Sequence, residues 1–357
     1  MSIKEYSLDF NSIVTSPQYK EYGQAILHNF PACKQALITH QGRLIFEFNN
    51  PNPTVDDRMP IVNGIYSLLI PFIPHFENTM LNNRGDAWNG RSVTKCIMSA
   101  LTGIALEKGL LKNLEVTLGE SLNNVPKDKQ TISLRHLLTM TSGMPFTDKI
   151  PEMPRWLKSK NWVEYLLTLP LVHSPGESFS YSTGNSHLLA AVLNKALGGK
   201  LREFAQTELF YPLGFGNPYW EIDPQGIPFG GANLFLPIRD MLKIGYLYLQ
   251  MGFWQGKQLI SQEWVKESTT PKVHASDHFE YGYAWWLRDF LLTDRNKPVE
   301  VICACGWAGQ RIYIIPEMEV VTAIISKADL WAIPENLDKL LGEKLLPLMK
   351  EYLTCAI

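Results

Sequence analysis

Ser92 and Lys95 frame the tetrapeptide S-V-T-K, and no other serine in the chain has a lysine three positions on. On a helix, residues at i and i+3 share a face, so the hydroxyl and the amine can meet. A serine hydroxyl is a poor nucleophile until a base takes its proton. Lysine can be that base only if its pKa falls from about 10.4, which burial without a countercharge brings about. Residues 96–105 carry no charge and supply such a setting. A serine at a helix start also keeps its backbone N–H among unpaired amides, where an oxyanion can bind. Taken alone, the pair reads more readily as an N-cap serine followed by a surface lysine.

Two further stretches carry chemistry. Residues 176–185, G-E-S-F-S-Y-S-T-G-N, follow a Pro-Gly turn and set Tyr181 just before a helical run. A phenol near a lysine can relay a proton to a leaving group; the plain alternative is a core tyrosine with a satisfied hydroxyl. Residues 305–310, C-G-W-A-G-Q, lie between two β-rich runs. Small residues there let a substrate approach the backbone, and an N–H could complete an oxyanion hole; the alternative is a tight bend or bulge. Competing constellations are weaker. His136 could serve a Ser-His-Asp arrangement, but the chain has no G-x-S-x-G elbow. His274 and His278 have spacing that could hold zinc, yet lack the glutamate of an H-E-x-x-H helix. Cys303 and Cys305 are close together but sit in a strand-like run. Trp156, Trp285 and Trp286 are candidates for a pocket wall. One of the paired tryptophans must face inward on a strand. Proline, methionine and tryptophan between 150 and 162 suggest a loop over a cleft.

The elements that must position these residues follow from periodicity. Residues 35–39 and 43–48 are β-rich and flank H-Q-G at 40–42, a hairpin signal. Residues 300–305, 311–315 and 320–326 read as strands, with a turn at 316–319. Residues 92–108 repeat apolar positions at Val93, Ile97, Leu101, Ile104 and Ala105, which is helical spacing. Residues 134–140, 185–197, 201–210 and 239–251 also read as helices, and a last helix over 335–352 follows Pro334. Strands at both ends around a helical insertion imply an α/β (α+β) fold within one catalytic domain spanning 1–357. Its sheet subdomain would come from about 1–85 and 280–357, its helical subdomain from about 86–279, with a cleft between them.

Composition narrows the classes. Of 357 residues, 45% are hydrophobic and 19% charged, which excludes disordered and fibrous chains. A formal net charge of -2 lacks the basic footprint of a nucleic-acid binder. The N-terminus has no apolar h-region, and the most apolar stretch, 61–76, is broken by Pro71 and Pro74 and too short to span a bilayer. Five scattered cysteines suggest reduced thiols. Together these features lead to the expectation of a cytoplasmic protein without nucleic-acid or membrane partners, its oligomeric state open.

The three motifs in this order resemble the serine β-lactamase and penicillin-binding superfamily, whose motifs are S-x-x-K, Y/S-x-N and K-T-G. The closer likeness is to its class C-like branch of esterases, D-alanyl peptidases and 6-aminohexanoate-dimer hydrolases. It is carried by residues 91–95, 135–143, 175–181, 239–245, 281–286 and 306–310, so it runs from about 84 to about 326. The resemblance implies a β-lactamase/transpeptidase-like fold, with an antiparallel sheet flanked by terminal helices plus a largely helical lobe. It implies Ser92 as acylated nucleophile, Lys95 as its base and Tyr181 in proton transfer, with the N–H groups of Ser92 and Trp307 as oxyanion hole. It implies no metal or organic cofactor, and a structural role for His136. Trp156, Thr183, Trp286, Gly306 and Ala308 become candidate pocket residues. Two departures stand out. Thr183 occupies the asparagine position of Y-x-N, with Asn185 two residues on, and no lysine precedes Trp307. In the lactamases and peptidases that lysine is associated with the substrate carboxylate. The resemblance therefore favours a hydrolase of a small ester or amide over a penicillin-binding protein or β-lactamase. A non-catalytic relative that binds a peptide or cell-wall fragment is the third reading.

Overall fold

Positive φ angles at Gln41 (49°) and Gly42 (77°) make the two-residue turn that joins β1 (Cys33–His40) to β2 (Arg43–Asn49). Such turns match the twist of the strands they connect. In the computed structural model, residues 6, 8–10, 17–53, 83–145, 147–148, 152–292, 296–327 and 335–355 are described. The apolar stretch at 61–76 and Pro334 lie outside them.

The remaining strands of the main sheet are β3 (Val273–Ser276), β4 (Phe279–Tyr281), β5 (Trp286–Phe290), β6 (Val299–Gly306), β7 (Gln310–Ile315) and β8 (Val320–Ser326). The sheet order is β2-β1-β8-β7-β6-β5-β4-β3, and every neighbouring pair is antiparallel. β1 pairs with β8 in a register that sets Leu37 opposite Ala323, so strands from the two ends of the chain meet one strand in from the β2 edge. Both faces of the central strands are covered. β7 and β8 are buried at every residue, and their apolar runs, Ile312 and Ile314–Ile315 on β7 and Val320–Val321 and Ala323–Ile325 on β8, lack the polar alternation of a strand with one wet face.

Side chains alternate between the two faces with the strand period of two. On one face Val320 and Ile324 meet Tyr22 and Ile26 of α1 (Pro17–Asn29). The same face meets Leu337, Leu341 and Leu345 of the C-terminal helical run, which extends through Glu335–Leu340, Leu341–Leu345 and Leu346–Cys355. On the other face Val321, Ala323 and Ile325 join the core of the helical lobe. At the centre of that lobe is α2 (Thr94–Glu107), buried at every position from Thr94 to Ala105. A helix apolar all round belongs in an interior. Around it lie α3 (Leu134–Leu138), α4 (Glu152–Lys158), α5 (Trp162–Thr168), α6 (Thr183–Ala196) and α7 (Ile238–Leu249). Among the described residues no helix is long and apolar enough to cross a membrane.

The loop expected over the cleft between 150 and 162 contains helix α4 instead. Pro154 sits in its first turn, where a missing N–H costs no helical hydrogen bond.

Ile312 on β7 is fully buried between the sheet and the lobe, whereas Leu291 is 73% exposed. Ile312→Ala should lower unfolding stability by about 2–5 kcal/mol through lost packing and a residual cavity. Leu291→Ala should stay within about 0.5 kcal/mol of wild type. Urea unfolding, compared at the midpoint with unchanged slope, measures both.

Candidate functional site

Ser92 lies in a 3-10 turn, Arg91–Val93, that feeds directly into α2. That turn is held in an uncommon conformation, with Arg91 at φ +52°. A non-glycine residue adopts such an angle only when its surroundings over-determine it. Here they do. The Asn89 side-chain oxygen accepts from Arg91 N at 2.9 Å, and Asn89 Nδ2 donates to Asn233 Oδ1 at 3.0 Å. Asn233 Nδ2 donates to Glu221 Oε2 at 2.5 Å. Gly90 N donates to Leu234 O at 2.9 Å. Asn89, Asn233 and Glu221 are all buried, so this polar chain fixes the turn from inside the protein.

One turn along, Lys95 is buried with its amine at the meeting point of three acceptors. Nζ lies 2.9 Å from Ser92 Oγ, 2.9 Å from Thr183 Oγ1 and 2.8 Å from Gly231 O. It also sits 4.9 Å from the centroid of the Tyr181 ring. Burial lowers the Lys95 pKa to about 8, against a partial pull upward from Asp148. Burial pushes the Tyr181 phenol well above its usual value, although a hydrogen bond with Ser92 acts the other way. Near neutral pH the phenol therefore keeps its proton, and the amine is the group in this cluster that can give its proton up and take another. Ser92 is partly exposed, so the buried amine backs a reachable hydroxyl.

The strand-end motif abuts the Ser92 turn. A Cβ on Gly306 would lie 2.6 Å from Gly90 O and 3.2 Å from Arg91 Cβ, so only glycine lets β6 end against this turn. The Arg91 guanidinium carbon sits 5.5 Å from the Trp307 ring centroid, and Trp307 is 39% exposed. Trp286 is half-buried with its ring centroid 5.3 Å from that of Tyr181. Phe179 and Tyr281 extend this aromatic wall, at 6.0 and 4.8 Å from Trp286.

Four pocket expectations change. Trp156 is fully buried against Trp162, His187 and Phe229, with its indole N–H donating to Trp162 O at 3.1 Å. It is core because α4 turns it into the lobe. Thr183 faces the Lys95 amine, with its hydroxyl committed to Lys95 and Asp148. Gly306 serves backbone against backbone, as described above. Ala308 is buried at φ +62°, and its carbonyl accepts from Ser326 Oγ at 2.7 Å. Of the paired tryptophans, Trp285 is the inward one. Asn185 does turn elsewhere and accepts from Ser142 Oγ at 2.8 Å. His136 takes part in the capping box at Ser133, accepting from Ser133 N at 3.2 Å. His274 pairs with Glu280 at 2.8 Å on the surface.

Sequence reasoning missed Asp148, which accepts from Thr183 N at 2.9 Å and from Thr183 Oγ1 at 2.7 Å. It also missed Gly231, whose carbonyl reaches Lys95 through an approach so close that a Cβ there would lie 2.3 Å from Thr183 Cγ2. The doublet Gly230-Gly231 was the available sign of a close backbone approach.

Residues 75–342 match the family model described as Beta-lactamase. The 6-aminohexanoate-dimer hydrolase of Paenarthrobacter ureafaciens is 22% identical over 273 residues, 69% of this chain and 66% of that protein. Among solved structures, a Bacillus anthracis protein described as a candidate 6-aminohexanoate-dimer hydrolase superposes with a TM-score of 0.72 at 15% identity. The match covers 99% of this chain and 89% of that one. A penicillin-binding protein from Bacillus halodurans gives 0.64 at 17% identity, covering 87% of this chain and 97% of that one. The fold is the β-lactamase/transpeptidase-like one, with its antiparallel sheet and helical lobe.

Ser92 should be most reactive when Lys95 is neutral. Its second-order rate of reaction with a fluorophosphonate should rise with pH and reach half its plateau near pH 8. Lys95→Arg, which cannot deprotonate, should slow that reaction by about 10²–10⁴-fold. Stopped-time labelling across pH 6 to 10 provides the measurement.

Proposed function

The chain belongs to the β-lactamase family, and we propose that it is a serine hydrolase acting on a small ester or amide through an acyl-enzyme on Ser92. The observation that carries this reading is the 2.9 Å contact between Ser92 Oγ and a buried Lys95 amine whose pKa is lowered to about 8. The neutral amine takes the hydroxyl proton as Oγ attacks the substrate carbonyl, forming the C–O bond and an oxyanion. Backbone N–H groups of Ser92 and Trp307 receive that oxyanion. Tyr181, protonated and with its ring 4.9 Å from the Lys95 amine, gives its proton to the departing alcohol or amine as the acyl–heteroatom bond breaks, and Lys95 returns the proton to Tyr181. Water then attacks the ester on Ser92 by the same route, releasing the acid and restoring the hydroxyl.

The absence of lysine before Trp307 argues for this reading over a dedicated β-lactamase or D-alanyl peptidase. Ala304, Cys305 and Gly306 precede Trp307 and offer no cation for a substrate carboxylate. The half-buried wall of Phe179, Tyr181 and Trp286 supports an apolar or neutral acyl group beside the nucleophile. Relatives described as 6-aminohexanoate-dimer hydrolases support including short ω-amino amides among the substrates.

A fluorophosphonate probe should label wild type on Ser92, located by peptide mass, and Ser92→Ala should lose both labelling and ester or amide turnover. Nitrocefin should turn over slowly or not at all. Unchanged hydrolysis by Ser92→Ala in a folded sample would sink the reading. Ligand binding with no turnover across an ester, amide and β-lactam panel would favour a non-catalytic binder.

A further inference from the structure

A neutral lysine amine has two N–H donors and one lone pair, while its ammonium form has three donors and none. Lys95 has three oxygen neighbours, and their roles differ. Gly231 O is a carbonyl and can only accept. Ser92 is the hydroxyl whose proton must reach the lone pair. Thr183 Oγ1 could act either way, and its behaviour decides the geometry. If it accepts, both N–H bonds of the neutral amine are occupied by Gly231 and Thr183, and the lone pair is left for Ser92. If it donates, its hydrogen competes for the lone pair and Ser92 loses its base.

The choice is made by Asp148. Its Oδ2 lies 2.7 Å from Thr183 Oγ1, and a carboxylate can only accept, so the hydroxyl hydrogen points to Asp148 and away from Lys95. Its Oδ1 accepts from Thr183 N at 2.9 Å and from Thr147 Oγ1 at 3.1 Å, which fixes the carboxylate plane. Thr147 also accepts from Gly184 N at 3.2 Å and is 2.8 Å from Ser182 Oγ, so the 147–148 segment is seated on the start of α6. We propose that Asp148 is a positioning residue, which fixes the Thr183 hydroxyl as an acceptor and thereby aims the lone pair of neutral Lys95 at Ser92. The inference rests on the serine-hydrolase reading above. It also accounts for threonine where the resembled motif has asparagine, since a threonine hydroxyl needs an external acceptor to settle its direction.

The groups facing Lys95 are Asp148 from the 147–148 segment, Tyr181 from the segment before α6, and Cys96 on its own helix. Of these, Asp148 is the group whose negative charge favours the ammonium most. Asp148→Asn removes that charge. Its amide must keep oxygen toward Thr183 N, so its NH2 would donate to Thr183 Oγ1 and turn the hydroxyl hydrogen toward Lys95. Two effects follow together. The plateau rate falls, and the ammonium loses its favourable neighbour, so Lys95 deprotonates at lower pH.

The test is the pH dependence of fluorophosphonate inactivation for wild type, Asp148→Asn, Thr183→Val and the double variant. Asp148→Asn should lose ten- to a hundredfold in plateau rate while its half-plateau pH moves down by about one unit. In the Thr183→Val background the same substitution should cost less than twofold further in plateau rate, because its route to Lys95 is gone. A slower variant with an unmoved half-plateau pH, or losses that multiply in the double variant, would overturn the proposal. Should Asp148→Asn fail to fold, Thr183→Val alone decides: a plateau rate within twofold of wild type overturns it, and a tenfold loss in a folded sample supports it. Wild type that does not label at Ser92 removes the serine-hydrolase reading and this inference with it. Labelling with wild-type behaviour in all variants removes this inference alone.

Discussion

The site depends on one buried amine. Lys95 is buried, which penalises its charged form and pulls its pKa down toward neutrality. What keeps burial tolerable is that each donor of the amine has an oxygen within 2.9 Å. The three oxygens come from three separate places in the chain: the turn before α2, the first residue of α6, and the segment carrying Gly231. Those segments must converge to within a few tenths of an ångström. Much of the lobe's architecture reads as the means of doing so.

Two close backbone approaches achieve that convergence. Gly231 lies so near Thr183 that a Cβ would sit 2.3 Å from its methyl group, which brings the carbonyl to Lys95. Gly306 lies so near Gly90 that β6 ends against the turn bearing Ser92. The positive φ of Arg91 is the strained element between them, held by the buried chain from Asn89 through Asn233 to Glu221. Conformational strain and buried polar groups concentrated beside a partly exposed serine are what a pre-organised reaction centre requires.

The sequence made much of this legible, for physical reasons. The hairpin of β1 and β2 and the strands at 299–326 are local patterns, and a period of two or a Gly turn is visible in a few residues. Ser92 and Lys95 are three apart on one helix, so their meeting follows from helix geometry alone. Asp148 and Gly231 meet the site only through tertiary packing, across separations of 53 and 136 residues from Lys95, and no local period marks them. Trp156 and Gly306 mislead in opposite ways. Proline and methionine beside Trp156 imitate a loop and so suggest a pocket wall, yet the indole is packed in the lobe core. Gly306 suggests room for substrate, yet the protein's own backbone fills that space.

The most direct test of the central claim is the ionisation of Lys95 itself. Heteronuclear NMR of labelled lysine side chains, with Lys95 assigned by its loss in Lys95→Arg, reads that titration without any substrate. A resonance titrating near pH 8 is the result that agrees with a buried amine poised to act as a base. A midpoint at the ordinary lysine value, about 10.4, would contradict it, because Lys95 would then be a permanent cation beside Ser92 and could not take its proton.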